Sequence, residues 1–142
     1  MKVFNDDRIF EILIGGEFNK LCNLHIATIQ RELGQTNKTI LFENLAKMYG
    51  YCGEEQKGFV WLINPSLFIQ LNFLCGCVGT MDIPIFSAAE SNGEYTNYLL
   101  GLPVIWLNSL PGIGEGGEIM LFDIKKFFKE EKCVILLRKD SE

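Results

Sequence analysis

The stretch FVWLIN at residues 59–64 is a continuous apolar run of strand length, and it stops at Asn64-Pro65. Asparagine at a cap followed by proline at the first helical position is a helix start. Strand then helix is therefore expected, the helix running from Pro65 to about Leu74 with Leu67, Phe68, Leu71 and Leu74 inward. Three more strand-length runs come later: LLGLPVIWLN at 99–108, EIMLFD at 118–123 and CVILLRK at 133–139. KKFFK at 125–129 reads as a further strand, joined to CVILLRK through EEK as a hairpin.

Upstream, apolar positions at Ile9, Phe10, Leu13, Phe18, Leu21, Leu24, Ile26 and Ile29 recur at threes and fours, broken by Gly15-Gly16. This spacing predicts two helical stretches over residues 6–33 with a hinge at the glycines. GQTNKT at 34–39 is loop chemistry with Thr36 or Asn37 as cap. Ile40, Leu41, Leu45, Met48 and Tyr49 then make one helical stripe that ends near Gly50. After CGCVGTMD come a short IPIF and a polar loop, SAAESNGEYTN, so residues 75–98 read as exposed loop. There is no repeat, low-complexity segment or linker, and one α+β domain over residues 1–142 accounts for the whole chain.

A chain of 142 residues is long enough to bury a real core without metals or disulfides. With 48% hydrophobic and 22% charged residues it is globular and somewhat greasy, and part of that apolar surface is expected to meet partners. The net charge is -5 and no basic block exceeds Lys125-Lys126, which excludes the footprint of a duplex-binding protein. The longest nearly apolar run, residues 59–79, contains Asn64, Pro65, Gln70 and Asn72 and is not expected to span a membrane. The five cysteines, Cys22, Cys52, Cys75, Cys77 and Cys133, are odd in number and scattered. Without a basic signal-like N-terminus they read as reduced and cytosolic.

Three stretches suggest chemistry. Gly112, Gly114 and Gly117 formally match G-x-G-x-x-G. A dinucleotide fingerprint, however, needs a helix whose first amides face the pyrophosphate, and here a strand-length run follows. Cys75-Gly76-Cys77, with His25 or Cys52, offers half of a metal site. The second closely spaced pair of a structural zinc site is missing, so small buried cysteines are the simpler expectation. His25, the only histidine, could pair with a thiol, but it lies on an apolar stretch, LCNLHIATI, with no nucleophile elbow nearby. No catalytic, cofactor-binding or metal residue is assigned, and no cofactor or small-molecule substrate is expected.

GFVWLINPSLFIQL at 58–71, YLLGLPVIWLNSLPGIGEGGEIMLFD at 98–123 and the terminal KKFFKEEKCVILLRKD together resemble the C-terminal half of the major capsid proteins of tailed bacteriophages. Leu99-Leu100-Gly101-Leu102-Pro103-Val104 and Met120-Leu121-Phe122-Asp123 carry most of the likeness. The resemblance spans residues 40–142 and fades in the helical segment 1–39, which has no room for the family's N-terminal arm, extended loop and spine helix.

The resemblance implies a mixed, mostly antiparallel sheet flanked by helices, equivalent to the axial domain plus part of the peripheral domain of that fold. It also implies a non-enzymatic subunit of an icosahedral shell, found in the virion and, before assembly, in the host cytoplasm. Its partners would be copies of itself or full-length capsid subunits, without specific nucleic-acid binding. The loop at Gly112–Gly117 would join two strands, and Gly101 beside Pro103 would kink a strand near a sheet edge. A shell protein of a cargo-holding bacterial nanocompartment shares the fold and is the alternative. A small cytosolic enzyme or ligand-binding domain using Cys75, Cys77 or His25 is a reading from another class. Trp61, Leu62, Phe68, Leu71, Val104, Ile105, Leu121 and Val134 are expected in the core.

Overall fold

A computed structural model describes residues 25–52, 58–78, 81–123, 125, 126, 129, 131 and 133–140. Among these residues nine strands and two α-helices succeed one another: β1 (His25–Ile29), α1 (Phe42–Gly50), β2 (Val60–Ile63), a 3-10 turn (Pro65–Leu67) leading into α2 (Phe68–Phe73), β3 (Cys75–Val78), β4 (Met81–Pro84), β5 (Phe86–Ser91), β6 (Glu94–Leu99), β7 (Leu102–Trp106), β8 (Ile119–Phe122) and β9 (Val134–Leu137). Seven of the strands form one sheet in the order β1-β9-β8-β2-β7-β6-β5, and β3 and β4 pair separately. The β1–β9 and β2–β7 pairs are parallel and the rest antiparallel. The fold is α+β with a mixed, mostly antiparallel sheet, as the sequence implies.

The uninterrupted apolar run puts β2 at the centre. Val60, Trp61, Leu62 and Ile63 are all fully buried, because this strand has neighbours on both edges and packed layers on both faces. One face, with Trp61, Ile63, Val104, Ile119, Leu121 and Ile135, packs against Leu45 and Met48 of α1 and Leu67 and Leu71 of the second helical segment. The other face, with Val60, Leu62, Met120, Phe122 and Val134, packs against Leu107, Leu110 and Cys133. The Trp61 indole donates to Leu99 O at 2.8 Å, so burying its nitrogen leaves no orphan donor. Asn64 caps the 3-10 turn by accepting from Ser66 N at 2.8 Å, and Pro65 follows as expected.

Several expectations are corrected. Residues 25–29 are a strand rather than a helix. The Ile26/Ile29 spacing fits either element, and parallel pairing with β9, helped by the β-branched Ile26, Thr28 and Ile29, decides it. The first part of the expected helical pair, residues 6–24, lies outside the described residues. Helix α1 is capped at Leu41, not at Thr36 or Asn37: the Leu41 amide donates to Asn44 Oδ1 at 2.9 Å. Phe68 is 46% exposed. The 3-10 turn points Leu67 and Leu71 inward and leaves Phe68 at the margin, where its ring packs edge-on against Phe86 and Trp106. Ile105 is only half-buried, lying beside the second cluster.

The largest correction falls between residues 75 and 102. The expected polar loop is a hairpin, β5–β6, turning at Asn92-Gly93 with φ of 54° and 79°. The expected long strand from 99 is a second hairpin, β6–β7. Its turn, Leu100-Gly101, has φ of 51° and 80°, both positive as a type I′ turn requires. Gly101 therefore turns the chain rather than kinking a strand. Pro103 leaves its mark nearby, since the ladder with β2 begins only at Val104. Finally, β9 has β8 on one edge and β1 on the other, and of the expected KKFFK strand Phe127 and Phe128 lie outside the described residues. Lys125 and Lys126 form a helical turn whose amides donate to Asp123 Oδ1 at 2.9 and 3.2 Å.

Candidate functional site

The glycine loop is the first place to look for chemistry. Gly114, Gly116 and Gly117 all have positive φ, 88°, 87° and 79°, and the loop leads into β8 with no helix behind it. Such a concave run of amides is a ready anion nest. Here the anion is supplied from within: Glu118, fully buried, accepts from Gly114 N at 2.6 Å and Gly116 N at 3.2 Å.

Arg31 neutralises that carboxylate. Its side chain is 3% exposed, and Nη2 pairs directly with Glu118 Oε2. Nη1 donates to Thr39 O and Nε to Arg138 O, both at 2.8 Å. Asp140 Oδ1 lies 3.1 Å from Nε as an ion pair. Its Oδ2 accepts from Lys38 N at 2.8 Å, while its own amide donates to Gly114 O at 2.8 Å. One guanidinium thus holds together the loop, the segment before α1 and the residues after β9. Arg31 and Glu118 are paired and hydrogen-bonded, the condition under which burying an ion pair is tolerable, while the buried Asp140 Oδ1 has the ion pair with Arg31 but no hydrogen bond. Gly116 must be glycine for a second reason: an added Cβ would come 2.7 Å from the Lys139 backbone nitrogen.

The cysteine and histidine candidates fall on separate elements. Cys52 and Cys133 are buried free thiols. Burial pushes Cys52 up to about 11, with Lys126 opposing and Asp123 adding. Burial pushes Cys133 up to about 12, reinforced by Asp123 and opposed by Lys126. Both are protonated at neutral pH and poor nucleophiles. His25 opens β1 opposite Val134, and Cys75 and Cys77 lie on β3 opposite Pro84 and Asp82. Cys22 lies outside the described residues. No three His, Cys, Asp or Glu side chains among the described residues are grouped to hold a metal ion. No helix among them is long and apolar enough to cross a membrane.

A different kind of site lies at the β5 end of the sheet. The outer face of α2 leaves Phe68, Ile69 and Phe73 exposed. Phe68, Phe86 and Trp106 form an edge-to-face aromatic triad with centroids 5.6–6.0 Å apart. From this base rises the β5–β6 hairpin, paired with itself over six rungs but with β7 only at Tyr98↔Pro103 and Leu99↔Leu102. Trp106 Nε1 donates to Asn97 Oδ1 at 2.9 Å and pins the base of this arm. Beyond it Ser87–Glu90 and Asn92–Thr96, apart from Ser91, are exposed.

Sequence reasoning missed both features. Arg31 and Glu118 are 87 residues apart and no local pattern links them. Asn92-Gly93, by contrast, was a legible hairpin signal. No known protein family, curated protein or solved structure matches this chain.

Proposed function

We propose that this chain is a structural subunit that works by assembling with other subunits, in the manner of the tailed-phage major capsid proteins its sequence resembles. In this reading it carries out no reaction and joins a shell through contacts with its copies or with longer capsid subunits. The observation that carries the reading is where the free binding capacity lies. The glycine loop spends two of its amides and its charge complement on Glu118 and Arg31, whereas α2 and the β5–β6 arm expose apolar and backbone surface. The three stretches that carry the resemblance also meet in one place, as β2 with its helix, β7 with β8, and β9.

Contacts made through one hairpin and one helix face fall in the weak, transient class of interface. The purified chain should therefore be a monomer in dilute solution and associate into small oligomers as concentration rises, without closed particles. Sedimentation velocity and negative-stain microscopy test this. Strictly monomeric behaviour up to millimolar concentration, at low as well as physiological salt, refutes the assembly reading. Uniform closed shells from this chain alone would refute the expectation that its contacts are weak.

A further inference from the structure

From residue 58 to residue 124 the sequence contains no lysine, arginine or histidine. All 13 cationic side chains lie before or after this span, and the fold turns that sequence gap into a spatial one. In the order β1-β9-β8-β2-β7-β6-β5, the β5 end carries Glu90 and Glu94 as its only charged residues on β5, β6 and β7, both exposed. Toward the opposite end, the segments flanking β9 expose Lys125, Lys129, Arg138 and Lys139, with Glu131 the one exposed acid among their described residues.

We propose that the β5–β6 hairpin is a docking arm for a second copy of this chain, its Glu90 and Glu94 engaging the basic surface formed by Arg138 and Lys139 beyond β9. The inference rests on the assembly reading above and names the surfaces that carry it.

Three features of the arm support a protein occupant. A two-stranded hairpin is marginal on its own, and this one leaves the sheet after two rungs. Its outer strand, β5, has no neighbour other than β6 among the described residues, and Ser87, Ala88 and Ala89 leave that edge without the lysine or proline that usually blocks pairing. The base of the arm also packs through Phe86 against Phe68 of α2, a helix that leaves Ile69 and Phe73 exposed as well.

Charge then selects the geometry. Two arms meeting edge to edge would gather the acids of both copies, Glu90 and Glu94 of each, at one contact with no cation on β5, β6 or β7 to offset them. An arm meeting the far end of the next copy's sheet brings acids to cations. That contact is heterologous, head to tail, and so propagates into rings or chains rather than stopping at a dimer. Complementary fields of this kind chiefly set orientation and association rate, so the association should weaken as salt rises.

The test is sedimentation equilibrium of the full chain at low salt, comparing the wild type, Glu90→Lys/Glu94→Lys, Arg138→Glu/Lys139→Glu, and an equimolar mixture of the two variants. All four positions are exposed. Circular dichroism and thermal melts confirm that each variant remains folded.

The proposal expects each variant alone to associate about tenfold or more weakly than the wild type, a loss of about 1.4 kcal/mol. In the mixture, where reversed arms meet reversed surfaces, association should return. If the wild type associates and the arm variant associates equally well, the arm is not the contact, and the assembly reading survives without it. Association that strengthens with salt, or no recovery on mixing, likewise overturns the arm's charge pairing. A wild type that never associates removes both the arm and the assembly reading.

Discussion

Replacing Glu118 with alanine tests how the glycine loop is held. The substitution removes the buried carboxylate that pairs with Arg31 and accepts two loop amides, leaving a guanidinium that is 3% exposed and two donors without their acceptor. Breaking one side of a buried ion pair costs about 3–5 kcal/mol. Asp140 remains 3.1 Å from Arg31 Nε and tempers the loss, so the lower end, about 3 kcal/mol, is expected. Unfolding entropy scales at about 2.1 cal/mol/K per residue, or about 0.3 kcal/mol/K for this chain. The melting temperature should then fall by about 10 °C.

Calorimetry gives the melt, and urea titration followed by the buried Trp61 gives an independent value. Adding the Arg31→Met variant and the double variant closes a cycle whose coupling should reach about 1–3 kcal/mol, since the two side chains touch. Formate, a small carboxylate, should raise the melting temperature of the Glu118→Ala chain and leave the wild type unmoved. If Glu118→Ala melts within about a degree of wild type, the network does not hold the loop. If inorganic phosphate saturably stabilises the wild type, the nest is open and the internal-anion account is wrong.

Other perturbations have equally definite outcomes. Gly116→Ala forces a Cβ to 2.7 Å from the Lys139 nitrogen at a φ of +87° and should destabilise by about 2 kcal/mol or more, read by urea titration. No atom lies within 4 Å of a Cβ at Gly93 or Gly101, so alanine there costs backbone strain alone, about 1–2 kcal/mol. At Gly101 the loss should appear in global unfolding, while at Gly93 it should appear mainly as faster hydrogen exchange in the arm, which opens separately. Cys52 and Cys133 should resist alkylation at pH 8 in the native chain and react on unfolding, as peptide mapping would show. Their folded values, about 11 and about 12, lie above the unfolded 9.0. The unfolded chain therefore holds fewer protons above pH 9, and stability falls with rising pH there. The loss is at most about 1.4 kcal/mol per pH unit per thiol, through pH 11 for Cys52 and 12 for Cys133.

What could be read from the sequence follows the local strength of each signal. Strand β2 was legible because four consecutive core residues stop at a cap and a proline, and β8 and β9 because their apolar runs match strand length. Helix α1 showed its stripe through Leu45 and Met48. Strand β1 was not legible, since five residues cannot separate a period of 3.6 from one of 2, and its partner lies more than 100 residues away. The arm escaped for the opposite reason: with exposed residues on both faces it has no apolar alternation to find, and only its Asn-Gly turn betrays it. The Arg31–Glu118 clamp is a meeting of distant segments and leaves no periodic trace.

The clamp and the arm also differ in what they leave for others to bind. Glu118 fills the loop's amide cradle from inside, so an external anion would have to displace a carboxylate already paired with Arg31 and held by two amides. Displacement of that kind costs the buried pair before any gain is made. The arm is under no such obligation. Its outer strand, its acids and the aromatic face beside it meet solvent now and lose only water on contact. Binding free energy in this chain is therefore available at the β5 end of the sheet and already consumed at the glycine loop. A substitution in the loop should first cost stability, whereas one that reverses the arm should weaken association and leave the melt unchanged.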